Sequence, residues 1–291
     1  MKKKHHFINI ILPLSLIFSK LIAIENSNIW NVENKIYLLK QISNNNLAYE
    51  SYERIIDSIV SNEIPIDYIK QILFDHRIKF DNEIIKRFEN QPEKLSYEKY
   101  KKIFITKNRI KNGIIFYNSN KDMLKLVNSE YGVDPFLLVS LSGVESNYGK
   151  NTSSNLVFTS LHTQLHNEKR KSWAEKEMIE FIKYCYENNI DPFSISGSYA
   201  GAFGFGQFIP SSFRAYAVDF DDDKIKEPFD WLDVFGSMSN YLIKNGYKIN
   251  SDDFSYKTNN WNSIYRYNHS ENYVNVILEL RKNIIKGILS D

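Results

Sequence analysis

The chain has 291 residues, 43% of them hydrophobic and 25% charged, which is enough to bury one large core or two smaller ones and excludes a disordered protein. The formal charge is +2, and loss of the first 23 residues with Lys2, Lys3, Lys4 and Lys20 would make it −2, so nothing points to nucleic acid as a partner. Cys185 is the one cysteine, which excludes an intrachain disulfide and reads as a small buried residue.

The N-terminus, Lys2-Lys3-Lys4-His5-His6 followed by apolar Phe7 to Phe18, reads as an export signal over residues 1–23. The apolar stretch is short for a membrane span. Lys20 and a weak cleavage consensus around Ala23 leave open an uncleaved anchor, and with it membrane association through the N-terminus. No cysteine follows the signal, so the chain is not a lipoprotein by sequence. The expected location is the periplasm or cell envelope, soluble or anchored to the inner membrane.

Residues 24–64 are rich in Asn, Ile and Glu, break at Asn44-Asn45-Asn46, and are assigned no role. From Pro65 to Tyr131 the pattern is helical, with Ile69, Ile72 and Leu73, then Ile110, Ile114 and Tyr117, at helical spacing. Tyr131-Gly132 stops a helix, and Asp134 with Pro135 starts the next as N-cap and first-turn proline. That helix is nearly all apolar, Pro135 to Val144, and ends at Glu145. Desolvation and the negative end of the helix dipole both disfavour an anion there, which makes Glu145 a candidate proton donor near neutral pH.

Further helices are expected over Glu168 to Asn189, Ser211 to Val218, Trp231 to Asn245 with Gly246 as the stop, and Tyr273 to Ile285. Between the first two, Ser194 to Pro210 sets Gly197, Gly201, Gly204 and Gly206 among Tyr199, Phe203, Phe205 and Phe208. Glycines at that density let backbone approach a ligand or helix closely, and the phenylalanines read as core. No alternating run is long enough for a substantial strand, so the chain is mainly α. His162, His166 and His269 lack metal spacing. Lys169-Arg170-Lys171 reads first as a solvated helix face and second as a contact for a peptide-stem carboxylate.

Asp219-Phe220-Asp221-Asp222-Asp223 begins like an EF-hand loop, with acids at positions 1, 3 and 5, but Lys224 stands where the turn glycine belongs. The closing acid is Asp230 or Asp233. Asp219, Asp221, Asp223 and Asp233 are thus candidate ligands for a structural Ca²⁺ within 219–233. The alternative is a solvated acidic turn balanced by Lys224 and Lys226.

Gly143-Val144-Glu145-Ser146, the glycine-rich run from Gly197 to Ser212, and Tyr267-Asn268-His269-Ser270 together resemble the membrane-bound lytic murein transglycosylase B family in order and spacing. Gln91-Pro92-Glu93 and Arg109-Ile110-Lys111-Asn112-Gly113 extend the resemblance more weakly, so that it covers about Pro65 to Lys286. It implies a lysozyme-like α+β catalytic fold over 65–286, with few short strands and an N-terminal helical extension. The implied activity is cleavage of the bond between N-acetylmuramic acid and N-acetylglucosamine in peptidoglycan glycan strands. In that family one glutamate protonates the leaving oxygen and then takes the proton of the muramic C6 hydroxyl, which closes a 1,6-anhydro ring. No cofactor is required for the chemistry, and some members bind calcium at the acidic loop.

Carried over by resemblance, Glu145 is the catalytic acid and base. Ser198 resembles the serine near the catalytic carboxylate, Gln207 the glutamine that binds an acetamido group, Tyr241 the tyrosine beside the glutamate, and Tyr267 with Asn268 the pair that lines the cleft. Hydroxyls, amides and aromatic faces suit a saccharide. The plainer alternatives are turn capping for Ser198 and Gln207 and core packing for the two tyrosines. Two other functions stay open: a lysozyme-type hydrolase, which needs a second carboxylate that the sequence does not offer, and a non-catalytic peptidoglycan-binding protein.

Overall fold

A computed structural model describes residues 37, 38, 40, 48–60, 64–89 and 95–290 of the chain. The signal over residues 1–23 and Gln91-Pro92-Glu93 lie outside the described residues. Two units meet in sequence at Asp75 and His76. In the first, α1 (Tyr49–Val60) buries Tyr52, Ile55, Ile56 and Ile59, and α2 (Ile66–Leu73) buries Ile69, Ile72 and Leu73, as the helical spacing of those residues requires.

The second unit runs through α3 (Asn82–Glu89), α4 (Tyr97–Phe104), α5 (Lys107–Ser119) and α6 (Lys121–Tyr131) to α7 (Pro135–Ser146). Then come β1 (Asn155–Leu156), α8 (Val157–Gln164), α9 (Lys171–Glu187), β2 (Ser196–Gly197), α10 (Pro210–Tyr216), α11 (Trp231–Lys244), α12 (Asn259–Tyr267) and α13 (Glu271–Ser290). The two short strands pair antiparallel, Asn155 opposite Gly197 and Leu156 opposite Ser196. The mainly helical, lysozyme-like fold expected from the sequence is what forms.

Helix α7 is the centre of this unit because it is apolar nearly all round. Leu137, Leu138, Val139 and Leu141 are fully buried, as are Val274, Val276, Ile277 and Leu280 of α13, which packs along it. Each such side chain contributes about 1.5–3 kcal/mol. The hydroxyls of Ser140 and Ser142 do not spoil the apolar face, since they donate to the Phe136 and Leu138 carbonyls of the same helix at 2.7 and 2.8 Å.

Several boundaries differ from the sequence expectation for local reasons. Helix α9 begins at Lys171, not Glu168, because Asn167 first builds a turn, accepting the Lys169 N–H on its side chain and the Arg170 N–H on its carbonyl. Helix α10 begins at Pro210, and the buried Glu177 of α9 reaches across to accept the Ser211 N–H and hydroxyl at 2.9 and 2.8 Å. Helix α12, absent from the sequence reading, starts at the Thr258 cap, and α13 is longer at both ends than Tyr273 to Ile285.

Candidate active site

The end of α7 is shaped by the residues that follow Glu145. Asn147, Tyr148 and Gly149 all take positive φ, at 50°, 61° and 77°, and the Tyr148 N–H closes the helix on the Ser142 carbonyl at 3.0 Å. A tyrosine in this region is strained, so its side chain must be held. Its ring lies where a Cβ on Gly143 would come within 2.7 Å of Cζ, and its hydroxyl donates to the Arg109 carbonyl at 3.0 Å. Gly143 is therefore a glycine because Tyr148 folds back beneath the helix. The result is Glu145 on the penultimate position of α7, half-buried, with its carboxylate turned to a tyrosine cluster.

Tyr273 of α13 donates its hydroxyl to Oε1 of Glu145. The ring is only 2% exposed. Burial first, and then the charge of Glu145, push the Tyr273 phenol well above its ordinary pKa, so the group stays protonated and remains a donor. Tyr267 is raised in the same direction by burial and then by Glu145, and it donates to the Gly206 carbonyl at 2.6 Å. The remaining groups that act on the Tyr273 hydroxyl are Tyr267 and the buried Tyr100 of α4. Two buried tyrosines thus act on the acid, and a charge-assisted hydrogen bond from one of them orients its carboxylate.

The structure brings Tyr267 and Tyr241 to this cluster, their ring centroids 4.9 Å apart, with Phe208 5.4 Å from Tyr267. Tyr241 donates to the Arg266 carbonyl at 2.6 Å, and burial pushes its phenol up to about 12. Asn268 ends α12 in extended conformation beside Tyr267. Ser198 and Gln207 make the loop contacts of the plainer alternative. The Ser198 hydroxyl accepts the Ala202 N–H at 3.0 Å, and the Gln207 amide donates to the Gly204 carbonyl at 2.9 Å. Those bonds hold the glycine-rich wall in shape. Gly204 itself is required, since at φ 78° a Cβ would lie 2.5 Å from the Pro228 carbonyl oxygen.

Tyr273 and Tyr100 were missed from the sequence. Tyr273 falls on the apolar face of the last helix and reads as core; the signal that could have found it is its place one and a half turns after Tyr267-Asn268. Phe203 and Phe208 are buried, as expected, while Phe205 stacks on Trp231 at 4.4 Å. Arg170 is not a plain solvated charge. It lies over the rings of Phe88 and Trp173 at 4.6 and 4.2 Å, with Nε donating to Gln164 at 2.6 Å. Cys185 is buried, as expected.

In the acidic loop, carboxylate oxygens of Asp219, Asp221 and Asp233 lie within 4.8 Å of one another, the one such group among the described residues. Asp223 is not brought into it; its carboxylate accepts the Ile225 N–H at 2.7 Å. Asp222 and Lys224 take positive φ, which supplies the turn that lysine replaces glycine in. Burial first, and then the charges of Asp221 and Asp219, push the Asp233 carboxyl up against the lowering effect of the Glu227 and Phe220 N–H bonds. Three converging oxygens with mutual repulsion fit a hard divalent cation.

A lysozyme-like helical fold with one acid at the end of its central helix defines the class. Residues 49–256 match the Transglycosylase SLT domain family, and the chain belongs to it. Over 150 residues it is 35% identical to the membrane-bound lytic murein transglycosylase B of Escherichia coli strain K12, a match that covers 51% of this chain and 42% of that protein, so the chain spans less than half of this curated relative. Among solved structures it resembles the Escherichia coli lytic transglycosylase Slt35 in complex with calcium, at TM-score 0.73 and 25% identity over 81% of this chain and 93% of that one. It also resembles the soluble lytic transglycosylase SltB1 of Pseudomonas aeruginosa, at TM-score 0.74 and 26% identity over 82% and 99%.

Proposed function

We propose that the chain is a peptidoglycan lytic transglycosylase, with residues 65–286 as its catalytic domain and Glu145 as its single acid and base. The observation that carries this reading is the Glu145 carboxylate at the end of α7, half-buried and held by the Tyr273 hydroxyl. In the protonated state Glu145 gives its proton to the glycosidic oxygen between the muramic and glucosamine residues. As the carboxylate it then takes the proton of the muramic C6 hydroxyl while that oxygen bonds to C1. Proton donor and acceptor are the same group at different moments, so its rotation must be fixed, and Tyr273 fixes it. Tyr241, Tyr267 and Asn268 line the cleft, and Ser198 and Gln207 shape the wall that meets the sugar.

Purified sacculi digested with the wild type and with Glu145→Gln test the reading by the mass of the soluble muropeptides. Products lighter than reducing-end muropeptides by one water, absent with the variant, are expected. Reducing ends would mean hydrolysis, and no soluble product would mean a binding protein.

The acidic loop is proposed to hold a structural Ca²⁺ through Asp219, Asp221 and Asp233, with Asp223 as a further ligand after rotation. The similarity to a relative crystallised with calcium supports this. The ion would neutralise the loop that joins α10 to α11 and take no part in bond cleavage. The protein is further proposed to be exported to the cell envelope by its N-terminal segment. Among the described residues no helix is long and apolar enough to cross a membrane.

A further inference from the structure

Among the described residues, α7 with its cap meets α13 through a polar contact at Glu145 and another at Asp134. At the second, Asp134 caps the start of α7, its Oδ1 accepting the Phe136 and Leu137 N–H groups at 2.6 and 3.2 Å. Its Oδ2 accepts from Arg281 of α13, from Nε at 2.7 Å and from Nη2 as well. The guanidinium lies over the Phe254 ring, 4.6 Å from its centroid, which limits its movement on the other side. Asp134 precedes Glu145 by about three helical turns, and Arg281 follows Tyr273 by about two. The helices therefore run antiparallel, with one polar pin near each end of α7.

The two helices pack together, and the residues they bury between the pins are apolar: Leu137, Leu138 and Leu141 on α7, and Val276, Ile277 and Leu280 on α13. Apolar packing is non-directional and constrains sliding along the helix axes less sharply than a hydrogen bond does. A guanidinium that gives two donors to one carboxylate oxygen is directional and fixes register. The side chains of this pair are 20% and 11% exposed and line an open cavity of about 470 Å³ with Tyr247, Asn250 and Asp252. The pair is therefore not sealed in the core, where its loss would amount to a packing defect.

We propose that Asp134 and Arg281 are a positioning pair for the reaction: by setting the register of α13 on α7 they deliver the Tyr273 hydroxyl to the Glu145 carboxylate. Arg281 touches neither acid nor substrate and acts through Tyr273. The proposal rests on Glu145 being the catalytic group, as proposed above.

The test is a double-mutant cycle with soluble muropeptide release as the rate, measured for the wild type, Arg281→Met, Arg281→Lys, Tyr273→Phe and the doubles. Arg281→Met is expected to lower kcat roughly ten- to a hundredfold, the scale of a small misplacement of a catalytic group, with KM unchanged. Arg281→Lys, which keeps the charge and one donor, recovers part of the loss. In the Tyr273→Phe background neither substitution lowers kcat further, because the bond they protect is already gone. If Arg281→Met does not fold, Arg281→Lys in the two backgrounds carries the same comparison. Losses that multiply in the double variants, or that appear in KM rather than kcat, would overturn the proposal. A wild type that releases no anhydro product would instead overturn the catalytic reading beneath it.

Discussion

Tyr273 donates its hydroxyl to Glu145 across 128 residues of sequence, and this bond joins the last helix to the end of the central one. The tyrosine is buried and its phenol is held neutral, so it donates to the Glu145 carboxylate. A hydrogen bond to a charged group contributes about 1.5–3 kcal/mol. Tyr273→Phe should therefore lower the melting temperature by several degrees, and lower kcat on sacculi by roughly ten- to a hundredfold, the scale of a small misplacement of a catalytic group. Unchanged turnover would mean that the bond does not orient the acid.

Gly143→Ala probes the turn that follows the acid. The added Cβ would lie 2.7 Å from Tyr148 Cζ, and Tyr148 cannot easily retreat from a positive-φ position with its hydroxyl on Arg109. Overpacking of this kind costs about 1–3 kcal/mol. Thermal denaturation should show a fall of several degrees, together with loss of activity as Glu145 is displaced. A variant with wild-type stability and rate would mean that the turn is softer than its geometry implies.

His162, 2% exposed on α8, couples stability to pH. Burial first, and then His166, push its pKa down from 6.5 to about 3. The unfolded chain binds this proton below pH 6.5 and the folded chain does not until about pH 3, so the neutral form's stabilisation is present above 6.5 and is lost as the pH falls through that window. The full window corresponds to on the order of 5 kcal/mol. Melting temperatures at pH 7 and pH 4 should differ less in His162→Gln than in the wild type. Equal differences would remove His162 from the acid response.

For the loop, Asp221→Asn is the cleanest probe of the proposed calcium. Asp219 and Asp233 also hold backbone N–H groups of the turn, whereas the Asp221 carboxylate accepts a long bond from the Asp223 N–H at 3.3 Å. Calcium should raise the wild-type melting temperature by several degrees and that of the variant by much less. The rise should shrink on acidification, because Asp233 is more easily protonated than an ordinary aspartate and must be ionised to bind. No calcium-dependent shift in the wild type would leave the loop a self-satisfied acidic turn.

Much of this was legible in the sequence because it is local. Asp134 with Pro135 marks the start of α7, Gly132 in the left-handed region closes α6, and Glu145 falls at the helix end. The family motifs located the glycine-rich wall and the Tyr-Asn edge. What was not legible is the pairing of distant side chains. Tyr273 and Arg281 share a helix whose periodicity reports only burial, and nothing in spacing says that one meets Glu145 and the other Asp134. Ser198 and Gln207 could be found by motif, yet their hydrogen bonds to Ala202 and Gly204 depend on how the loop closes. Helix α12 escaped because its cap, Thr258, sits among polar residues that read as loop.

The central claim, that the Glu145 carboxylate takes the proton of the muramic C6 hydroxyl and water stays out of the product, is tested most directly by digesting sacculi in oxygen-18 water. The account predicts 1,6-anhydro muropeptides of unshifted mass from the wild type and none from Glu145→Gln. Heavy oxygen at a reducing end of the released sugars would contradict it.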